Sequence, residues 1–374
     1  MQYIHIINDL KQGGTNYSIY RLIKKLDKDA KIISLYSKDY YYDIFKENGN
    51  EVYTIDLSSI KNFLKSLIKV IKILSREEEY ILHCWLYKSC VFGVIFSLIY
   101  NKKIIWNIRH ADTSFSFKKF KKYLIIRICI FLSKIKKTNI IYNSYFARLN
   151  HEKIGFNAKN TYVINNGFEL NKYEFKIKDK LNFLKKYNIQ NDKFIISMFA
   201  RYHPIKNHKV FLESMSKIKN TQLNFHIFLA GRDINYKNKE LMEQIKKYKL
   251  TDKITLAGIL LEKELNDSYH ASDLTILSSK SESFPNVIGE AMACNTPCIT
   301  FDVGDCKKLI GDTGWIAYKK NSTTLAESIN LAINLYHDKK KWTELKHRCR
   351  DRIKEFFNIK DEIKKYKNIY KKLN

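Results

Sequence analysis

Along almost the whole chain, apolar runs of about three to six residues alternate with longer segments whose apolar residues recur every three or four positions. Runs of strand length stand at 3–7, 31–35, 51–55, 80–83, 103–107, 139–142 and 161–164. Helical patterns fall between them, for example at 15–26, 60–74, 87–99 and 120–135. The alternation pauses at Asn165-Asn166-Gly167 and through a polar, lysine-rich stretch at 171–192. It restarts with runs at 194–199, 225–230, 254–257, 274–277, 298–300 and 315–317, separated by helical patterns at 208–218, 238–248, 263–271 and 285–294. Strands that alternate with helices make βαβ units and parallel sheets. The pattern therefore predicts an α/β protein of two Rossmann-like, doubly wound domains facing across a cleft. They are expected at 1–170 and 171–358, followed by an amphipathic helix within 359–374 that packs back on the N-terminal domain.

Composition supports two cores. The chain has 374 residues, 45% of them hydrophobic, with 3 prolines and 12 glycines, which argues against long disordered tracts. The first residues read as a strand rather than as a secretory signal. The longest apolar stretches, 91–100 and 123–132, fall well short of the ~20 residues that span a bilayer. Seven scattered cysteines without a Cys-x-x-Cys pair point to reduced, structural thiols and a cytoplasmic protein.

The net charge of +29 is partly a lysine-rich bias of the whole chain. It concentrates, however, between Asn101 and Asn150, which hold twelve Lys/Arg and one acidic residue, Asp112. The segment from Phe117 to Lys137 sets aromatic and aliphatic residues beside lysines. Two readings stand for it: a helix lying on an anionic membrane surface, hence a peripheral protein of the inner leaflet, or a packed helix with solvated lysines. No nucleic-acid recognition motif accompanies the charge, so nucleic acid is not an expected partner.

Ligands of open parallel sheets bind beyond the carboxyl ends of the strands. Gly13-Gly14, Arg109-His110, Arg201 with Lys206, Gly231-Arg232-Asp233, Gly258 and Glu282 all follow predicted strands. The strongest local signal is Ser279-Lys-Ser-Glu282-Ser-Phe-Pro-Asn-Val-Ile-Gly-Glu290-Ala-Met-Ala-Cys294. Here a strand ends, a polar loop follows, and Pro285 stands at a first helical position. The helix start near Phe284–Val287 is an anion site. Arg201 and Lys206 would close on the same diphosphate as a two-cation clamp and stabilise it as a leaving group without a metal. Glu282 and Glu290 should lie roughly 10 Å apart or more, too far for the carboxylate pair of a retaining glycosidase. There is no Gly-x-Gly-x-x-Gly after the first strand and no P-loop, which disfavours a nicotinamide enzyme and a P-loop kinase.

Glu282 and Glu290, with Phe284-Pro285-Asn286-Val287 between them and Glu-Ala-Met-Ala-Cys-Asn-Thr-Pro following, resemble the Glu-x7-Glu signature of the retaining glycosyltransferases of family 4, of GT-B fold. The resemblance extends to Gly13-Gly14, Ile108–Asp112, Asn143-Ser144, Val163–Gly167, Arg201 through Lys206-Asn207, Ala230-Gly231, Leu256–Gly258 and Ser272-Asp273. It implies that Glu290 accepts hydrogen bonds from the nucleotide ribose and that Glu282 holds hydroxyls of the donor sugar. The backbone at Ser283, Phe284, Pro285, Asn286 and Val287 would touch sugar and phosphate, while Arg201 and Lys206 bind the diphosphate. His110 would lie near the anomeric centre, Gly13 and Gly14 would let the first loop approach the substrates, and Gly258-Ile259 would lie along the base. Two departures stand out: Ser283 and Asn295 replace glycines common in the pattern. Asn is the best substitute for a left-handed helix end. Asp27-Lys28-Asp29 spells the metal motif of the other major glycosyltransferase fold, but falls in a predicted turn where solvated carboxylates are the ordinary reading.

The sequence thus points to a retaining, metal-independent, cofactor-free glycosyltransferase. It would move a sugar from a nucleotide-diphosphate donor, a UDP-hexose or UDP-N-acetylhexosamine, to a hydroxyl of a growing surface glycan, carried on a polyprenyl diphosphate if the membrane reading holds. The alternatives are a nucleotide-sugar 2-epimerase of the same fold and a non-catalytic basic membrane- or nucleic-acid-binding protein.

Overall fold

The computed structural model describes residues 2–26, 29–57, 59–111, 113, 120–135, 138–174, 177–218 and 223–373. Asp27-Lys28, Asp112 and both ends of the 117–137 segment lie outside them.

The chain forms two compact units, 1–166 with 360–374, and 167–359. The first is built on a seven-stranded parallel sheet. Its strands are β1 (Gln2–Ile7), β2 (Lys31–Ser34), β3 (Glu51–Thr54), β4 (Tyr80–Trp85), β5 (Ile104–Ile108), β6 (Asn139–Tyr142) and β7 (Thr161–Val163), in the order β3-β2-β1-β4-β5-β6-β7. The second holds a six-stranded sheet of β8 (Phe194–Phe199), β9 (Phe225–Ala230), β10 (Ile254–Leu256), β11 (Leu274–Leu277), β12 (Cys298–Phe301) and β13 (Gly314–Ala317), in the order β10-β9-β8-β11-β12-β13. Both are doubly wound Rossmann-like sheets.

Side-chain alternation divides each sheet between two cores. In β1, Ile4 and Ile6 face a core completed by α3 (Ile60–Leu74), α4 (Leu86–Ile99) and α5 (Phe120–Ile135). Ile7 faces the opposite core, completed by α1 (Gly14–Leu26), α2 (Tyr41–Glu47) and the last helix, α15 (Ile359–Leu373). In the second unit, Ile196 and Met198 face α8 (His208–Ser216), α9 (Lys239–Lys247) and α13 (Ser322–His337). Ile195 and Phe199 face α7 (Ile177–Lys186), α10 (Glu262–Ala271), α11 (Asn286–Ala293) and α12 (Cys306–Ile310). α6 (Tyr145–Lys153) follows β6, and α14 (Lys339–Phe356) leads toward α15.

The strand expectations hold to within a residue or two at each end. The lysine-rich stretch after Asn171 is not only a connection: α7 lies in it and buries Phe183 and Leu184 while Lys178, Lys185 and Lys186 are exposed. Pro285 occupies the position just before α11 rather than its first turn, with φ −80° and ψ 107°. Asn295 does adopt a left-handed conformation, φ 61°. All seven cysteines are free and buried.

The last helix belongs to the first unit through polar as well as apolar contacts. Tyr366 Oη accepts from Asn107 Nδ2 at 2.7 Å, Tyr370 Oη lies 2.7 Å from His83 Nδ1, and the Tyr370 ring stacks on Tyr3. Arg21 and Glu362 approach to 3.6 Å, both almost wholly buried. Where the chain passes between units, Phe168 N donates to Phe357 O at 2.7 Å and Ile359 N to Phe168 O at 3.2 Å. Gly167 lies so close that a Cβ there would sit 2.5 Å from Ile359 Cα and 2.7 Å from Asn358 O. Because backbone has no rotamer to yield, Gly167→Ala should cost about 1–3 kcal/mol, the range for overpacking. Urea unfolding at two wavelengths checks this, and an unchanged midpoint would contradict it.

Candidate active site

In the second sheet the winding direction reverses between β8 and β11, so a crevice opens beyond their carboxyl ends. Arg201 and Lys206 follow β8, and Glu282 follows β11. The two loops are laced together by backbone. Lys280 N donates to Ile205 O at 2.8 Å, and Ser278 Oγ donates to Lys206 O at 3.0 Å and to Asn207 O at 3.2 Å. Asn207 turns the chain into α8 through a left-handed conformation, φ 60°. As a result Lys206 Nζ reaches Glu282 Oε1 at 2.5 Å, with 23% of the lysine side chain and 12% of the carboxylate side chain exposed. A charge-assisted bond of this length fixes the cation in place while leaving both groups accessible.

The loop carrying Glu282 is held from behind by the turn after β12. Gly304 adopts φ +57°, and a Cβ there would meet Glu282 O at 2.5 Å and Ser283 O at 2.6 Å. Asp305 N donates to Ser283 O at 3.0 Å. Only glycine fits at 304, and its fit decides where the Glu282 backbone lies. On the other side, Gly231 (φ +147°) lies against the Ala200 carbonyl, and its N–H donates to Gly258 O at 2.6 Å. This brings the end of β10 to the end of β9. Gly258 has φ +69° with open space around it, and Ile259 beside it is 54% exposed.

The expected site residues sort into groups. Arg201 is exposed at the rim. Phe284 is a core residue, 6% exposed, its ring near those of Phe168 and Phe357, so only its backbone is available to a ligand. Ser283 and Pro285 are buried, Asn286 and Val287 half-buried, at the amino end of α11. The helix itself supplies no acceptors to its first turn, and its dipole favours an anion there. Glu290 lies within α11, 6% exposed, and accepts from Tyr269 Oη at 2.8 Å. Burial holds the Tyr269 phenol far above its ordinary range, so it stays a donor.

Gly13, Gly14 and His110 belong to the other unit. The first two are exposed after β1, at that sheet's own reversal point, and a Cβ on Gly13 would meet nothing within 4 Å. His110 follows β5, exposed, its ring 6.1 Å from that of Tyr87. Its neighbour Arg109 is buried and bonds Asn166. Among the described residues there is no group of three or more His, Cys, Asp and Glu arranged to hold a metal ion.

Sequence reasoning missed Tyr269, Gly304 and Asp305. Gly304-Asp305 after a strand was a readable signal of the kind used elsewhere. Tyr269, one of many tyrosines, carried none.

Residues 179–356 match the family described as Glycosyl transferases group 1. The capsular polysaccharide biosynthesis glycosyltransferase CapM of Staphylococcus aureus is 24% identical, over 94% of this chain and 92% of that one. An Escherichia coli UDP-Gal:alpha-D-GlcNAc-diphosphoundecaprenol alpha-1,3-galactosyltransferase is 25% identical, over 84% and 81%. The crystal structure of Anabaena Alr3699/HepE in complex with UDP-glucose superposes with a TM-score of 0.86, at 19% identity, over 100% of both chains.

The chain is a glycosyltransferase of the GT-B fold, built from two Rossmann-like domains. The assignment to family 4 is corrected: the match is to Glycosyl transferases group 1, not specifically to family 4. The Glu-x7-Glu segment falls inside the matching residues.

Tyr269→Phe removes one buried partner of the Glu290 carboxylate and should lower unfolding free energy by about 1–3 kcal/mol. Denaturant titration of the variant checks this; stability equal to wild type would show that the bond does not hold Glu290.

Proposed function

We propose that the enzyme transfers a hexose or N-acetylhexosamine from a UDP-sugar, with retention at the anomeric carbon, to a hydroxyl of a growing surface glycan carried on a lipid diphosphate. The observation that carries this reading is the Lys206–Glu282 pair at the reversal point of the second sheet. It sets a cation and a carboxylate side by side beyond the strand ends, next to the amino end of α11.

In this reading Lys206, Arg201 and α11 neutralise the diphosphate. Glu282 keeps Lys206 oriented with one oxygen and accepts a sugar hydroxyl with the other. Glu290, aimed by Tyr269, takes the ribose hydroxyls, and Gly258-Ile259 flank the base. The bond from the anomeric carbon to the phosphate oxygen breaks, and the acceptor oxygen bonds that carbon from the same face. The acceptor proton passes to the departing phosphate oxygen, so UDP leaves carrying it and no nucleophile or metal is required. Catalysis then rests on orientation and on charge neutralisation at the leaving group. His110 and the Gly13-Gly14 loop serve the sugar and acceptor.

Comparison proteins support the donor and acceptor classes. HepE was crystallised with UDP and with UDP-glucose, and the E. coli enzyme is named for a UDP-Gal donor and a diphosphoundecaprenol acceptor.

Lys206→Ala and Glu290→Ala should each lower transfer by about 10²-fold or more; Lys206→Ala should leave the melting temperature little changed, while Glu290→Ala, which strands the buried Tyr269 hydroxyl, should lower it. Release of UDP from a panel of UDP-, GDP- and ADP-sugars measures this, and wild-type turnover in both variants would sink the site. NMR of the product should show the donor's anomeric configuration; an inverted product would exclude same-face attack. Incubation with donor alone should yield no isomerised nucleotide sugar, and its appearance would identify an epimerase instead.

A further inference from the structure

Exposed large apolar residues are unevenly spread over the described surface. α5 alone presents Phe120, Leu124, Ile128, Phe131 and Ile135, spaced four, four, three and four apart along one helical stripe. Phe131 is 64% exposed, and Phe120 and Ile135 more than half. The opposite side of the helix, through Ile126, Cys129 and Ile130, fills the core against α4. The stripe is therefore surplus to folding. Lys121, Arg127 and Lys134 are exposed beside it, and the helix contains no acidic residue. α3, which covers the same side of the sheet, repeats the composition: Leu64 and Ile68 are exposed beside Lys65 and Lys69, again with no acid in the helix.

We infer that this side of the first unit is a docking surface for an anionic lipid bilayer, with the α5 stripe entering the boundary between headgroups and acyl chains. Charge decides the occupant. Two copies of this face would oppose cationic rims in a protein already at +29. An anionic lipid surface instead attracts each lysine and arginine and gives the apolar stripe an apolar phase. No helix among the described residues is long and apolar enough to cross a membrane, so the contact lies at the surface. This deepens the reading of a lipid-carried acceptor, and rests on that reading only for its purpose.

The test is vesicle co-sedimentation of the full chain, with phosphatidylcholine alone and with phosphatidylcholine plus phosphatidylglycerol, at low and high salt. Wild type should sediment with the anionic vesicles and be largely released by salt. Leu124→Ser combined with Phe131→Ser should weaken partition at least about tenfold, and Lys121→Gln with Arg127→Gln and Lys134→Gln should weaken binding to the anionic vesicles and reduce its salt dependence. Unchanged melting temperatures would show that both variants fold. Partition equal to wild type in both variants, equal binding to neutral vesicles, or no binding by wild type would overturn the inference. So would a lipid-free dimer, seen by sedimentation velocity, that the serine variant dissociates. Release of UDP from the donor without vesicles, with a water-soluble acceptor glycan supplied, should be the same in wild type and both variants. Its absence in all three would refute the catalytic reading while leaving the vesicle result to stand or fall alone.

Discussion

Lys206 and Glu282 meet because β8 and β11 are neighbours in a sheet whose winding reverses between them. Everything else in the candidate site is arranged around that contact. The loop after β8 and the loop after β11 share backbone hydrogen bonds, so neither end of the ion pair is free to drift. Gly304 and Gly231 supply the clearance that lets neighbouring turns press against those loops. A side chain at either position would displace a carbonyl, and with it the charged group the carbonyl positions.

The site is tightly packed at its base and accessible at its top. Phe284 anchors the start of α11 in the core beside Phe168 and Phe357, so the helix's amino end is placed by apolar packing rather than by the ligand. Glu290 is buried deeply enough to be costly as an isolated charge, and the Tyr269 hydroxyl offsets part of that cost while aiming it. Arg201, by contrast, is exposed.

The first unit follows a different logic. One side of its sheet is closed by α1, α2 and α15, and the tyrosines of α15 bond His83 and Asn107 inside the core. The other side is covered by helices that satisfy the core with one stripe and still present a second to the surroundings. A helix that is apolar on two sides and basic between them has been given more hydrophobic surface than folding uses.

Periodicity alone located nearly every strand of both sheets, because parallel strands buried on two faces are short apolar runs that helices must separate. The Glu282–Glu290 segment was readable for a local reason, since strand, loop and helix start follow one another in sequence. The narrower family was not readable from that segment: the match found is to Glycosyl transferases group 1, not specifically to family 4. Nor was α7, whose two buried residues hide among lysines. What tertiary structure alone decided were the pairings between distant positions: Tyr269 with Glu290, Gly304 beneath Glu282, Tyr366 and Tyr370 inside the first unit. Sequence order encodes which residues a backbone can bring to a strand end; which of them touch depends on the lateral order of strands and on volumes filled from elsewhere in the chain.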